Sequence, residues 1–115
     1  MINKNQTSSP LQLITIRANS DIPAHRFINA RGDLCAHTEN PIGISEISWN
    51  AGDTMSVISY GTALIETLEA INIGEKVGVS NSSGKACRKT NEGDWVATAL
   101  SSGASGSIIK VKLVV

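Results

Sequence analysis

Four side chains in this sequence could be gathered on paper into a reactive site: Cys35 and His37, two residues apart, with Cys87 and His25 elsewhere in the chain. A Cys-x-His spacing in an extended segment puts both side chains on one face, where a thiolate and an imidazole could share a metal ion. Zinc sites, however, are built from paired Cys-x2-Cys or His-x3-His spacings, and neither is present. No metal is expected. The carboxylates Asp33, Glu39, Glu46, Asp53, Glu66, Glu69, Glu75, Glu92 and Asp94 fall in turns or beside them, where solvated surface is their default role. "SGK" at 83–85 lacks the upstream glycine of a phosphate loop, and no G-x-S-x-G or G-x-G-x-x-G occurs. No residue is therefore assigned as catalytic, no cofactor is expected, and the chain is not read as an enzyme. Arg31-Gly32-Asp33 spells a cell-adhesion tripeptide, but "NARGD" has the composition of a turn, which accounts for it better.

The elements that position these residues follow from composition and pattern. At 115 residues the chain has the length of one domain, and 41% apolar with 17% charged residues is a globular composition. Ten basic and ten acidic residues balance to zero, which argues against a nucleic-acid partner, normally met by a basic surplus. No apolar run approaches the roughly 20 residues of a membrane-spanning helix, so no membrane partner is expected. "MINKNQTSSPLQ" lacks an apolar core and is not read as a secretory signal. Two cysteines without such a signal point to free, buried thiols in a reducing compartment, and nothing supports a Cys35–Cys87 disulfide. Phe27, Trp49, Tyr60 and Trp95 are all the aromatics, too few for a stacking platform. Trp49 and Trp95 each lie beside a turn, and two readings stand for them: anchors of the core, or anchors at a subunit interface.

Residues 1–10 are polar, carry no periodicity and end at Pro10, which reads as a flexible arm. From residue 11 the pattern is of short strands between turns: 11–18, 25–30, 33–37, 42–49, 54–61, 76–80, 85–89, 94–101 and 107–115. "NAGD", "NSSG", "TNEG" and "SGASG" supply turn chemistry between them. Residues 62–75 are ambiguous, because Leu64, Ile65, Leu68 and Ile71 have helical spacing and Glu, Ala and Leu favour helix. Many short strands at intervals of roughly ten residues predict an all-β fold, a small barrel or sandwich.

The second half also echoes the first. At a shift of 52 positions, Gly84 falls on Gly32, Cys87 on Cys35, Asn81 on Asn29 and Val79 on Phe27. The period suggests pseudo-duplicated halves, about 12–60 and 63–115, inside a single β domain spanning 11–115. It favours strand over helix for residues 63–68, because 12–17 read as a strand.

A strand-rich chain carrying "IPAHRFINARGDLCAH", then "PIGIS", "NAGDTMSVISYG", "NIGEKVGVSNSSGKACR", "ATAL" and a terminal "IIKVKL" resembles the small capsid decoration, or capsid cement, proteins of phages. The resemblance covers about residues 11–115, and its motifs are patterns of Gly, Ala, Ile and Val rather than catalytic signatures. Two departures stand out: the helix-prone "ALIETLEAI" replaces an alanine- and glycine-rich stretch, and both cysteines are unusual. The resemblance implies a β-tulip-like fold and a structural role similar to that of the head decoration protein of lambdoid phages. It implies a protein made in the host cytoplasm and seated on the outer surface of the virion capsid, with the major capsid protein and itself, as a homotrimer, for partners. It also implies that an N-terminal arm orders on the shell by adding a strand to a coat-protein sheet. Here that capsid-binding arm would be Ile2, Asn3, Lys4, Asn5, Gln6, Thr7, Ser8, Ser9, Pro10, Leu11 and Gln12. A head-fibre base, a tail component or a small cellular ligand-binding barrel are the alternatives.

Overall fold

A computed structural model of the chain describes residues 9–81, 83–90 and 94–113. Its strands are β1 (Ser9–Arg17), β2 (Phe27–Ile28), β3 (Gly43–Ser45), β4 (Thr54–Glu66), β5 (Lys76–Val79), β6 (Ala86–Arg88), β7 (Ala97–Ala99) and β8 (Ile108–Leu113). No helix occurs among the described residues. One antiparallel sheet runs β2-β3-β4-β8-β7-β5-β6, with β1 also pairing β4. Its two ends approach each other where the Phe27 N–H donates to the Gly84 carbonyl at 2.8 Å, and the segment after β4 meets β6 where the Leu68 N–H donates to the Ala86 carbonyl at 2.8 Å. These bonds bring the sheet close to a closed barrel, which protects edges that would otherwise template pairing with other chains.

The ladder repeats itself. In the first half the order is Leu34, β2, β3, the start of β4, then β1; in the second it is β6, β5, β7, β8, then the end of β4. Ile16 opposite Met55 is matched by Ile65 opposite Ile109. Even the isolated bridges correspond, Ile22 with Trp49 and Ile71 with Gly103. β4 thus closes one half and begins the other. This explains why residues 62–66 are strand despite their helical spacing: Ala63, Leu64 and Ile65 are buried in succession, and cross-strand pairing overrides propensity. Residues 67–75 form turns, with Ile71 buried as a bridge residue.

The main core lies inside the barrel and draws on both halves, with Phe27, Cys35, Ile44 and Ile58 from the first and Ile65, Ile71, Val77, Ile109 and Val111 from the second. Each large aliphatic buried here contributes about 1.5–3 kcal/mol relative to exposure. A second cluster, Ala18, Ile22, Ile28, Met55 and Val57, packs against Ile16, Leu34, Ile42 and Trp49. Several sequence-expected strands are shorter than their apolar pattern. Within 33–37 only Leu34 pairs, because the Glu39 N–H bonds the Ala36 carbonyl and its carboxylate takes the Ala36 N–H, both at 3.0 Å, bending the chain away. Of the arm expected over 1–10, residues 9 and 10 begin β1; residues 1–8 lie outside the described residues.

Gly84 sits at the seam with φ 68°, and a Cβ there would lie 2.6 Å from the Phe27 carbonyl oxygen. Gly74 also has positive φ, at 88°, but nothing within 4 Å of its missing Cβ. Gly74→Ala should therefore cost only the left-handed strain, about 1–2 kcal/mol. Gly84→Ala adds a backbone clash, and we expect a loss exceeding that of Gly74→Ala by at least about 1 kcal/mol. Urea unfolding of the two variants checks this, and equal losses would count against the seam.

Candidate assembly surface

The Arg-Gly-Asp turn is tied inward. Asn29 Oδ1 accepts the N–H groups of Arg31 and Asp33, both at 3.0 Å, so the side chain organises the turn itself. The Asp33 carboxylate accepts from Asn19 Nδ2 at 3.1 Å and from the Ser20 hydroxyl at 3.0 Å. Gly32 has φ 86°, and a Cβ there would meet the Arg17 carbonyl oxygen. Arg31 spans to Glu39 at 2.6 Å. An aspartate already engaged on two donors is poorly placed to reach a receptor, and the turn reading accounts for every residue of the tripeptide.

The cysteine alignment needs one correction. Cys35 is in the main core, as expected, but Cys87 is only half-buried, and Ala86 takes the equivalent core position. Three residues separate Gly32 from Cys35 but two separate Gly84 from Ala86, and a one-residue difference turns a strand side chain to the opposite face. Both thiols are free. Burial, reinforced by the Glu39 charge, pushes Cys35 up to about 11, and burial also raises Cys87. Both are therefore protonated at neutral pH, the wrong state for a nucleophile or a metal ligand. His25 spends its Nδ1–H on the Leu64 carbonyl at 3.2 Å, and His37 is exposed. No group of three or more His, Cys, Asp or Glu side chains that could hold a metal occurs among the described residues.

Two adjoining open depressions, of about 390 and 340 Å³, share His37 and Lys89. The first is rimmed by Glu39 and Asp94, the second by Glu69 and Cys87. Their charges are mixed in sign, and Glu69 is already paired with Arg88 at 3.2 Å. They have the character of solvated surface rather than of a pre-formed ligand site.

Trp49 and Trp95 are both half-buried. Trp49 packs against the second cluster and exchanges backbone hydrogen bonds with Ile22 at 2.8 Å in both directions. Trp95 lies under the Lys76 ammonium, 4.1 Å from its ring centroid, a cation–π contact. Both are held within their own chain.

The exposed apolar surface is elsewhere. Leu11 is 75% exposed, Leu13 54%, Tyr60 48% and Ile14 37%. β1 is bound to β4 along its whole length, with the Ser9 N–H donating to Thr62 Oγ1 at 2.7 Å and the Ser59 hydroxyl to the Gln12 carbonyl at 3.2 Å. Gly61, at φ 102°, permits this crossing, since its Cβ would lie 2.6 Å from the Ser9 carbonyl oxygen. The sequence marked Leu11 and Leu13 as strand residues but could not reveal their exposure. Glu39 was likewise unmarked as an organising residue.

Hydrogen bonds from the Ala36 N–H, then from the Asn29 amide and from Arg31, hold the Glu39 carboxyl near 2, against an ordinary 4.5, with burial opposing them. A depressed carboxylate stabilises the fold above its unfolded value, and that contribution disappears as pH falls through the folded one. Glu39→Gln should thus be less stable than the parent at pH 7. The difference should narrow between pH 4.5 and about 2, and urea titrations across that range measure it. A difference independent of pH would rule this role out.

No family model matches the chain, and no curated protein matches it. Among solved structures, the head fiber gp8.5 N base of bacteriophage phi29 is similar, with a TM-score of 0.75 and 17% sequence identity over 90% of this chain and 93% of that one. At that identity the likeness establishes the barrel fold.

Proposed function

We propose that this chain is a non-enzymatic structural protein of a phage virion, seated on the outer surface of the icosahedral head as a decoration or cement protein. The observation that carries the reading is the end-to-end match of the barrel with a phage head-fibre base. The sequence resemblance to decoration proteins supports it independently. So does the chemistry: both thiols are held protonated, and Leu11 and Leu13 stand exposed on β1. The major capsid protein is the partner, and the working form is a homotrimer. The residues from Ile2 to Gln12 make the coat contact by strand addition, where main-chain hydrogen bonds supply affinity with little demand on side-chain identity. Several copies of a weak contact on one oligomer give tight capture.

A second reading, the base of a head fibre, is favoured by the phi29 neighbour itself. The two differ in where and how often the protein sits. Electron micrographs of expanded heads of the encoding phage, incubated with the purified protein, separate them: a regular coat supports decoration, a few projecting sites support a fibre base, and bare heads overturn both.

Removing residues 1–8 leaves every residue of β1 in place. That truncation should keep its circular dichroism and melting temperature while co-sedimentation with heads weakens by at least about tenfold. Undiminished occupancy would exclude the arm as the coat contact.

A further inference from the structure

β1 has two parts that are held differently. From Leu13 to Arg17 it runs against β4 in unbroken register, Leu13 opposite Ile58 through to Arg17 opposite Thr54. Before Leu13 the ladder is irregular. The register shifts between Pro10 and Gln12 and again between Gln12 and Leu13, so Leu11 and Ser59 stand outside it. Pro10 brings no N–H to the pairing. The side-chain ties of this stretch are the Ser9 N–H to Thr62 Oγ1 at 2.7 Å and the Ser59 hydroxyl to the Gln12 carbonyl and Oε1, each at 3.2 Å. Residues Ser9 to Gln12 are all exposed, and none belongs to either core cluster. Gly61 and Thr62 keep their places in the sheet without them, because they also pair with Leu113 and Lys112 of β8.

These four residues also lie within the segment assigned above to the coat contact, and in the free chain the edge they turn toward β4 is occupied. Their outer edge is a poor substitute. Two register shifts and a proline within four residues break the even row of N–H and C=O groups that an added strand needs. We propose that Ser9–Gln12 is a releasable strap, hinged at Leu13, that leaves β4 when the chain docks, so that the free protein masks part of its own coat-binding segment. This rests on the arm being the coat contact. Release uncovers no core side chain and gives up few bonds. Because only the released form docks, the apparent affinity is the intrinsic one reduced by the released fraction. Loosening the strap therefore strengthens docking, the reverse of what losing a purely structural tie would do.

Thr62→Val tests this, since it removes the acceptor of the Ser9 N–H while keeping a β-branched residue in the strand. In the free full chain, nitrogen relaxation dispersion should detect exchange at Ser9, Leu11 and Gln12 but not over Leu13–Arg17. The variant should raise the released population about fivefold, as for the loss of one hydrogen bond, with the melting temperature little changed. A β1 that exchanges as one piece, or stays still throughout, would overturn the proposal. Co-sedimentation with expanded heads is the second arm, where Thr62→Val should bind about fivefold more tightly and unchanged or weaker binding counts against release. Ser9→Cys/Thr62→Cys, placed at directly opposed positions and combined with Cys87→Ser, locks the strap when oxidised. The oxidised form should bind at least about tenfold more weakly than the reduced one. Equal binding would put the coat strand on the outer edge of β1 and overturn the release. Dispersion needs no capsid, so a strap that releases in solution on a chain that leaves heads bare defeats the coat-contact reading and leaves the release standing.

Discussion

One strand has to serve two halves of the molecule at once. β4 pairs with β1 and β3 at its beginning and with β8 at its end, and its residues enter the second cluster through Met55 and Val57 and the main core through Ala63 and Ile65. Anything that shifted its register would move side chains from one face to the other in both halves together. The two units therefore cannot be separate domains joined by a linker; they share a backbone and a core.

The seam beside this strand is where polar chemistry is concentrated. Glu66, at the end of β4, receives Arg26 at 3.3 Å and Lys85 at 3.2 Å, one cation from each half. Burial works to raise its carboxyl, but Lys85 and Arg26 outweigh burial and hold it below the usual glutamate value. His25 adopts φ 63°, a strained conformation for a residue with a Cβ. It is held there by its N–H to the Ser45 carbonyl at 2.7 Å, its carbonyl to the Glu66 N–H at 3.0 Å, and its ring to Leu64. Arg26 Nε is buried without a partner among the described residues. An unmade bond of that kind is costly in general, so the seam contributes specificity of assembly more than raw stability.

Much of this was legible before any coordinates. Alternating apolar residues and turn-forming clusters marked nearly all the strands. What misled was local likeness. Aligning Cys35 with Cys87 ignored a one-residue difference in the following strand, which only pairing with Val79 and Gly78 resolves. The helical spacing of 64–71 was real, but β8 beside it offered a better-buried arrangement. Strand ends also depended on distant captures, such as the Glu39 carboxylate taking the Ala36 N–H.

The sequence by itself determined the all-β class and the turn role of Arg31-Gly32-Asp33. Each depends on periodicity or on conformational preference over a few neighbouring residues. Which apolar strand face is covered was decided only by the tertiary structure. Leu13 and Ile58 stand opposite each other in one ladder, yet Leu13 is 54% exposed and Ile58 is buried. Burial depends on what packs across the sheet, and that is set by residues far away in the chain.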